Sequence, residues 1–198
     1  MKDMMCTDKK ELRKKLITIR NSLSREEREV YNRSVRERFF SLPQYGKAQV
    51  VLIYASYNNE VDTCEIIDKC LKEGKKVACP LCITDNNDNL MDFYFINTRE
   101  DLICGYKGIM EPDKNKTVKV TKESLKQGIL IIPMVGYDRE GNRLGYGKGF
   151  YDRFISEHDE IGTIGLAYKC QEYPRIPADS FDRSPDVIIN EVEYLDFC

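Results

Sequence analysis

The stretch that decides the fold covers residues 50–80 and reads VVLIYASYNNEVDTCEIIDKCLKEGKKVACP. Residues 50–55 form a continuous apolar run, which is typical of a strand that is covered on both faces. After a polar stretch, Thr63 can cap a helix that ends at Gly74. The buried face of that helix would consist of Ile66, Ile67, Cys70 and Leu71. Residues 75–80 read as a second strand, so the segment predicts a strand–helix–strand unit with a right-handed parallel crossover.

Two helices are predicted before this unit. The apolar residues of the first recur at helical spacing and therefore lie on one face. They are Leu12, Leu16, Ile19 and Leu23. Ser24 and Glu27 form a capping box, so a second helix begins there, and Pro43 closes it. The buried stripe of the second helix would consist of Tyr31, Val35, Phe39 and Leu42.

Strands and helices continue to alternate after residue 80. Apolar, β-rich runs predict four further strands, at residues 90–96, 128–133, 161–167 and 186–190. A helix is expected from Gly149 to about His158. This order predicts a three-layer α/β/α sandwich around a mostly parallel sheet, in which ligands gather at the carboxyl ends of the strands. The loops at that edge would begin at Tyr54, Pro80 and Pro133.

The composition limits the class of protein. A length of 198 residues fits one domain over residues 1–198, and 41% hydrophobic with 32% charged residues is typical of a globular protein. The formal net charge of −2 provides no basic field for nucleic acid. Apolar runs fall short of the roughly 20 residues that span a bilayer, and the N-terminus lacks an apolar signal-peptide core. We therefore expect a cytoplasmic protein with neither nucleic acid nor membrane as a partner.

The cysteines are expected to be reduced thiols, because the chain carries no secretion signal. They are Cys6, Cys64, Cys70, Cys79, Cys82, Cys104, Cys170 and Cys198. Cys79 and Cys82 form the one CxxC motif. A zinc site would need a second pair or histidines at ligand spacing, and His158 is the sole histidine. We interpret Cys79 as a small core residue at a strand end, with a zinc or redox protein as an alternative class.

The segment at residues 141–153, GNRLGYGKGFYDR, is the strongest functional signal; we call it the glycine segment. Its glycines permit close backbone approach, and a following helix would offer its positive N-terminus to a phosphate. Arg143 and Lys148 can add charge-assisted hydrogen bonds to phosphate oxygens. Asp152 would repel a phosphate unless a cation lay between them, and Mg²⁺ is the usual one.

Standard phosphate-binding motifs do not fit the glycine segment. A P-loop requires Ser or Thr after the lysine, and the dinucleotide fingerprint requires a different glycine spacing. The residues alone therefore leave three interpretations open. One is a phosphate site, another is a flexible loop before a helix, and the last is a module that senses a phosphorylated metabolite without chemistry.

The pattern D-x-x-G-x-R-L-G-x-G-x-G-x-Y-D-R, present here as DREGNRLGYGKGFYDR, closely resembles the 5-formyltetrahydrofolate cyclo-ligase family. Three further segments support the resemblance, namely KKELRKKL at 9–16, NEVDT at 59–63 and GIMEP at 108–112. The resemblance implies a fold similar to sugar-phosphate isomerases and CoA transferases. It also implies an enzyme, a ligase of one-carbon metabolism that converts 5-formyltetrahydrofolate and ATP into 5,10-methenyltetrahydrofolate, ADP and phosphate with Mg²⁺. We expect the enzyme to be a monomer.

The resemblance also implies site residues. ATP contacts are expected from Lys9, Lys10, Glu11, Leu12 and Arg13, and from Arg143, Leu144, Gly145, Tyr146, Gly147, Lys148, Gly149, Phe150 and Tyr151. Folate contacts are expected from Tyr57, Glu60 and Asp62, and from Tyr146, Gly147, Lys148, Gly149 and Phe150. Mg²⁺ contacts are expected from Asp152 and Asp186, and Arg143 and Lys148 are the expected catalytic residues. Two positions depart from the family pattern, because Phe150 stands where Tyr is common and Tyr146 where some members carry Arg.

Each implied role has a structural alternative. Lys9 and Arg13 could form a solvated helix face. Glu60 and Asp62 could precede a helix N-terminus, where negative charge is favourable. Tyr57 could be an aromatic residue at the rim of a cleft, and Asp186 could sit in a turn after Pro185. In the expected chemistry, ATP phosphorylates the formyl oxygen and the folate nitrogen at position 10 then displaces phosphate, so no side-chain nucleophile is required.

Overall fold

The computed structural model describes residues 8–85 and 88–198. Its helices are α1 (Lys9–Asn21), α2 (Arg25–Ser41), α3 (Pro43–Lys47), α4 (Cys64–Lys72), α5 (Lys122–Leu125) and α6 (Phe150–Glu157). Its strands are β1 (Val50–Ile53), β2 (Lys76–Asp85), β3 (Asp88–Ile96), β4 (Leu102–Cys104), β5 (Met110–Pro112), β6 (Val118–Lys119), β7 (Gly128–Pro133), β8 (Gly136–Tyr137), β9 (Arg143–Leu144), β10 (Gly162–Leu166), β11 (Val187–Ile189) and β12 (Tyr194–Asp196).

The central sheet has eight strands in the order β12-β11-β10-β7-β1-β2-β3-β6. The five strands from β11 to β2 are parallel, whereas β12, β3 and β6 pair antiparallel at the two edges. Val50 of β1 lies beside Lys76 of β2, so the predicted strand–helix–strand unit and the mostly parallel sheet are confirmed. Two small antiparallel ribbons, β4-β5 and β8-β9, lie outside this sheet.

The two faces of the sheet are covered by different helices, as the apolar run of β1 predicts. Val51 and Ile53 point into a core with side chains of α2, α3 and α4. Val50 and Leu52 point into a second core with side chains of α5 and α6. Residues that alternate along a strand face opposite sides, so a strand buried on both faces is apolar throughout. The predicted three-layer architecture is confirmed.

Helix α1 belongs to a separate small core at one edge of the sheet. Its buried Leu12 and Leu16 pack against Val135, which follows β7, and against Leu144 of β9. The helix is thereby fixed on the β8-β9 ribbon, which the sequence analysis did not predict. Since the ribbon follows the carboxyl end of β7, α1 lies at the edge of the sheet where ligands bind in this class of fold.

Three helix boundaries are confirmed in their physical detail. Ser24 and Glu27 form the predicted capping box before α2, with the Glu27 amide donating to the Ser24 hydroxyl. Pro43 ends α2 but also starts the short α3 at its first turn, where proline loses no helical hydrogen bond. Gly74 follows α4 with a φ of 78°, the left-handed conformation expected of a glycine that ends a helix.

Two local predictions were wrong. The Thr63 hydroxyl does not cap α4 but donates to the Tyr54 carbonyl, and Asp62 Oδ1 instead accepts from the Cys64 amide. No loop begins at Pro80, because β2 continues to Asp85 and pairs there with β3. The pairing of β2 with β1 ends at Ala78. Pro80 has no N–H to donate, but no β1 residue is paired with it, so the sheet loses no hydrogen bond there.

The CxxC motif lies within β2 rather than at a strand end. Cys79 pairs with Tyr94 and Cys82 with Met91, and an odd separation along a strand directs the two side chains to opposite faces. Cys79 is fully buried in the core, as predicted for a small core residue. The cysteines from Cys64 onward are free thiols, and Cys6 lies outside the described residues. Among the residues described, no three histidine, cysteine or acidic side chains cluster as a metal site.

Among the helices of the described residues, none combines the length and the apolar character needed to cross a membrane.

Candidate active site

The glycine segment connects the β8-β9 ribbon to α6. Arg143 and Leu144 form β9 and are buried, and the Val135 amide donates to the Leu144 carbonyl at 2.8 Å. Gly147 and Gly149 then adopt φ values of 89° and 69°, a region that side chains rarely tolerate. Gly149 is the N-cap of α6, so the predicted helix start is confirmed. The glycines therefore serve a tight turn that ends on a helix N-terminus.

Neighbouring elements hold the glycine segment from two sides. From α1, Arg13 Nε donates to the Gly145 carbonyl at 2.7 Å. The same guanidinium lies against Gly147, where an added Cβ would approach its carbon to 3.0 Å. From the opposite side, Asn89 of β3 donates to the Lys148 carbonyl at 3.3 Å. The Arg13 side chain thus contacts the segment, as predicted, but its Nε bonds a main-chain carbonyl.

Asp152, the acidic residue of the glycine segment, forms an ion pair with Arg143. Arg143 Nη2 donates to Asp152 Oδ1 at 2.5 Å, and only 4% of the Arg143 side chain is exposed. The Arg183 amide donates to the same carboxylate oxygen at 3.1 Å, while Arg143 Nε donates to the Arg183 carbonyl at 3.2 Å. Lys148, by contrast, is exposed and forms no ion pair with the described part of the chain. Asp152 and Arg143 are therefore neighbours, whereas Lys148 is exposed to solvent.

Lys9 is joined to a segment that the sequence analysis did not single out, which we call the 179–183 segment. Its ammonium donates to Asp179 Oδ2 at 2.6 Å and to Asp182 Oδ2 at 2.5 Å. Burial lowers the pKa of Lys9, but the two carboxylates more than offset that effect and the net pKa is raised. Because the next residue, Arg183, bonds Asp152, the 179–183 segment links Lys9 to the Arg143–Asp152 pair.

The structure does not join Asp186 to Asp152. Asp186 Oδ2 accepts from the Thr163 amide at 2.7 Å and from the Thr163 hydroxyl at 3.0 Å. Thr163 lies near the amino end of β10, away from the carboxyl edge where the glycine segment lies. Asp186 therefore stays a predicted magnesium ligand, held here by Thr163 at the amino end of β10. Asp182 directly precedes Arg183, whose amide donates to Asp152 Oδ1.

The predicted folate side is the loop of residues 54–63. Glu60 Oε2 accepts from the Tyr57 amide at 2.9 Å, and Glu60 Oε1 accepts from the Tyr146 hydroxyl. Burial raises the pKa of Glu60, although the Tyr146 hydroxyl, the Tyr57 amide and the charge of Arg20 counteract it. The contact joins this loop to the glycine segment, so two groups predicted from distant parts of the sequence meet.

Asp62 has a local role in the 54–63 loop. Its Oδ1 accepts from the Ser56 hydroxyl and from the Cys64 amide, both at 3.0 Å. The carboxylate therefore fastens the loop and caps α4, which favours the structural alternative for this residue. Tyr57 is 37% exposed and stands at the rim.

The other predicted residues divide by burial. Lys10 and Glu11 are exposed on the first turn of α1, whereas Leu12 and Leu144 are buried in the small core and contribute packing. Phe150 and Tyr151 pack against the core beneath α6. Burial raises the pKa of Tyr151 well above its ordinary value.

Two polar residues of this region were missed by sequence reasoning. Arg20 is 2% exposed and donates from Nη1 to the Tyr146 hydroxyl at 3.0 Å. Glu111, in the GIMEP segment, is 5% exposed and accepts from the Cys82 amide at 3.2 Å. Both carry charges that are seldom buried. The signal for Arg20 was available, since it lies seven residues, two helical turns, after Arg13.

Comparisons with known proteins agree with this geometry. The sequence profile of the 5-formyltetrahydrofolate cyclo-ligase family matches residues 5–191. The mouse 5-formyltetrahydrofolate cyclo-ligase is 30% identical over 191 residues, with 92% of this chain and 93% of the mouse protein covered. The structure of Aquifex aeolicus 5,10-methenyltetrahydrofolate synthetase is 33% identical with a TM-score of 0.81, covering 96% of this chain and 92% of that one. A 5,10-methenyltetrahydrofolate synthetase from Mycoplasma pneumoniae, 24% identical, shares the fold with a TM-score of 0.74, covering 93% of this chain and 99% of that one.

The match extends over most of the chain and includes every segment described above except the last strand, β12. The chain belongs to the 5-formyltetrahydrofolate cyclo-ligase family, which confirms the fold class, the enzyme class and the overall reaction predicted from its sequence.

Proposed function

We propose that the chain carries out the family reaction at the junction of the glycine segment and the 54–63 loop, with ATP bound on the first side and 5-formyltetrahydrofolate on the second. The observation that carries this proposal is the hydrogen bond from Tyr146 to Glu60. It brings a basic, glycine-rich turn against a half-buried carboxylate. A phosphoryl donor and a pterin need those two environments side by side, because the reaction is largely a matter of alignment.

The nucleotide side would use the cations around the glycine segment. Arg143 and Lys148 are the groups we assign to the γ-phosphate, with Lys9 and Arg13 of α1 at the far end of the triphosphate. Lys148 carries the exposed charge, while Arg143 is buried and already oriented by Asp152. The amides at the start of α6 would add partial positive charge.

The residues present fit a magnesium ion that is shared with the nucleotide. Within the described residues no set of three or more ligand side chains forms, so the chain offers no closed metal site. Mg²⁺ typically binds through one or two carboxylates plus phosphates and water. Asp152 and Asp182 would supply the carboxylates. The contacts described above involve Oδ1 of Asp152 and Oδ2 of Asp182. When bound, the ion would neutralise phosphate charge.

The folate side would use Glu60. A carboxylate that accepts hydrogen bonds suits the N–H edge of a pterin. Tyr57, at the rim of the same loop, would cover the bound ring. Asp62 would act only by fixing the loop.

The chemical sequence follows from the substrates. The formyl oxygen attacks the γ-phosphorus of ATP, the bond to the bridging oxygen breaks, and ADP leaves. The nitrogen at position 10 then attacks the activated carbon, phosphate departs with the former formyl oxygen, and the nitrogen at position 10 loses its proton. The residues contribute by aligning the formyl oxygen with the γ-phosphate and by stabilising the charge on it.

A direct assay tests the proposal against a module that only senses a phosphorylated metabolite. The purified chain is mixed with 5-formyltetrahydrofolate and MgATP, and the absorbance of methenyltetrahydrofolate is followed. We expect turnover that depends on both substrates. Binding of ATP without turnover would favour the sensor. A monomeric state and a cytoplasmic location remain predictions, and light scattering would test the first.

A further inference from the structure

Arg20 is a buried cation whose position packing alone does not explain. It lies on α1 with 2% of its surface exposed, and its guanidinium carbon is 5.9 Å from the centre of the Tyr146 ring. Its Nε has no hydrogen-bond partner within the described residues. A long basic side chain usually buries its stem and keeps its charge in water. Burying the guanidinium is costly, so the contact that it makes needs a reason.

The contact between Arg20 and Tyr146 determines the direction in which the Tyr146 hydroxyl proton points. A tyrosine hydroxyl has a single donor and can also accept. Arg20 can only donate, so the bond from Arg20 Nη1 makes the Tyr146 oxygen an acceptor and leaves its proton for Glu60 Oε1. The second oxygen of Glu60 is fixed by the Tyr57 amide. Arg20 therefore orients the Glu60 carboxylate through Tyr146.

Helix α1 holds the glycine segment at two points. Arg13 Nε bonds the main chain at Gly145, and Arg20 bonds the side chain of the next residue, Tyr146. Seven residues separate the two arginines, close to two helical turns, so both point from the same face of the helix. The first contact stays within the nucleotide side. The second continues to Glu60 and so reaches the folate side.

We propose that Arg20 is a positioning residue for the folate substrate, which it serves by holding Tyr146 and, through the Tyr146 hydroxyl, the Glu60 carboxylate. The inference rests on the proposed role of Glu60 in binding folate. Arg20 itself is not expected to touch the reacting atoms. Its removal should weaken folate binding more than it slows the phosphoryl transfer.

Steady-state kinetics on Arg20→Met and Arg20→Lys tests the proposal. Met keeps much of the length without charge or donor, whereas Lys keeps a donor-only cation. With saturating MgATP, we expect the KM for 5-formyltetrahydrofolate to rise about ten-fold in Arg20→Met, since one hydrogen bond in a charged chain is lost. Arg20→Lys should recover part of that loss, and kcat and the KM for ATP should change about two-fold or less in both variants.

Tyr146→Phe provides a second variant, which leaves Arg20 in place and removes the hydroxyl that links it to Glu60. Tyr146 is 47% exposed, and the substitution removes only the hydroxyl. We expect the same rise in the folate KM as in Arg20→Met. The double variant of Arg20→Met and Tyr146→Phe should show little further rise, because the effects of substitutions at residues in contact are not additive. Arg25→Met is the matched control, since Arg25 is exposed on α2 in a surface pair with Glu29.

The outcomes are distinguishable. An unchanged folate KM in Arg20→Met and Tyr146→Phe, with normal wild-type turnover, overturns the inference alone. A fall in apparent kcat at constant KM also overturns it, because that is what a purely structural role produces by lowering the folded fraction. A wild-type chain without turnover overturns the proposed function and this inference together.

Discussion

The glycine segment and the 54–63 loop both lie at the candidate site, but they are held in different ways. The loop fastens itself, since Thr63 bonds the Tyr54 carbonyl and the Ser56 amide, and Glu60 bonds the Tyr57 amide. These contacts span fewer than ten residues of sequence. The glycine segment depends on distant groups from α1, β3 and the 179–183 segment. The first region combines these local contacts with distant ones, such as those of Asn32 to the Asp62 amide and of the Tyr168 hydroxyl to the Glu60 carbonyl, whereas the second depends mainly on distant contacts.

The difference indicates how each region should respond to its ligand. The loop presents a carboxylate whose orientation is already fixed, which reduces the ordering cost of binding. On the nucleotide side, Arg143 and Lys9 already hold carboxylates in ion pairs. A bound phosphate must therefore share Arg143 and Lys9 with these carboxylates or displace the carboxylates from them. Substitutions of the charged residues of the glycine segment should therefore change turnover and metal dependence, whereas substitutions in the loop, and at Tyr146 that contacts it, should change the folate KM.

The largest effect is expected from Lys148→Ala. The side chain is exposed, so the melting temperature should stay close to wild type. If the ammonium contacts the γ-phosphate in the transition state, turnover should fall by about 10²- to 10³-fold. Initial rates at low and at saturating ATP measure the effect. Lys126→Ala, which removes an exposed lysine paired with Glu123 on the surface, is the control. A near-normal rate in Lys148→Ala would remove this residue from the chemistry.

Asp152→Asn should have a smaller effect that has two parts. Loss of the carboxylate charge weakens Mg²⁺ binding, so the magnesium concentration for half-maximal rate should rise and turnover fall roughly 10- to 100-fold. The substitution also leaves the buried Arg143 guanidinium without its ionic partner, which should lower the free energy of unfolding. A magnesium titration of turnover, with thermal melts alongside, separates the two parts.

Asp182→Asn and Asp186→Asn complete the magnesium test. If Asp182 accompanies Asp152, its variant should shift the magnesium titration as well, whereas Asp186→Asn should affect only stability through Thr163. Titration curves of Asp152→Asn and wild type that superimpose would leave Asp152 with a structural role as the partner of Arg143.

Glu60→Gln tests the loop side of the comparison. The amide keeps the shape but removes the charge, so the KM for 5-formyltetrahydrofolate should rise about ten-fold while the KM for ATP changes little. Steady-state kinetics with each substrate varied in turn measures both constants. A raised KM for ATP with an unchanged KM for folate would reverse the assignment of the two sides.

The pH dependence of folate binding provides the control for Glu60. Burial raises the pKa of this carboxyl above its usual value, so the ionised form is lost at a higher pH than for an exposed glutamate. As the pH falls toward that raised pKa, the wild-type KM for folate should increase. A group with a raised carboxyl pKa in the folded state stabilises the fold more at low pH, so protonation of Glu60 does not itself promote unfolding, and thermal melts at each pH measure the contribution of the other carboxyls. Glu60→Gln should show a flatter profile.

The sequence predicted those parts of the fold that depend on periodic burial. The apolar run of β1, the helix after it and the capping box at Ser24 are local patterns, and each was found. The β8-β9 ribbon was missed because strands of two residues are too short to show a repeating pattern of buried and exposed side chains. The continuation of β2 past Pro80 was missed because a proline ordinarily excludes a paired N–H, and only the topology shows that β1 has already ended there.

The candidate site was predictable where a sequence motif marks it, and not elsewhere. Arg143, Asp152 and Glu60 were named from motifs, and the structure brings the first two into contact with each other and the third into contact with Tyr146. Asp182 was not named from the sequence, because an irregular segment has no repeating pattern from which its contact with Lys9 of α1 could be predicted. The spacing of Arg20 from Arg13 places both on one helix face, but the burial of Arg20 could not be predicted from the sequence.

The smallest effect is expected from the double substitution of Cys79 and Cys82 by Ala. Both lie outside the two regions compared above, on opposite faces of β2. Burial raises the pKa of Cys79 to about 12 and that of Cys82 to about 11, so both thiols stay protonated at neutral pH. Because the thiolate is the nucleophile and the metal ligand, neither residue suits a zinc or redox site.

Turnover per folded molecule in that double variant should therefore stay within about two-fold of wild type, since no step of the chemistry requires a thiol. Stability should fall by about 1 kcal/mol, mainly from the space left at the fully buried Cys79. Activity measured against the folded fraction, with denaturant melts, checks both numbers. Stoichiometric zinc in the purified wild-type chain, with activity lost on chelation and regained only with zinc, would contradict the prediction. Such a result would require β2 to rearrange, because its present register cannot direct both sulfurs at one ion.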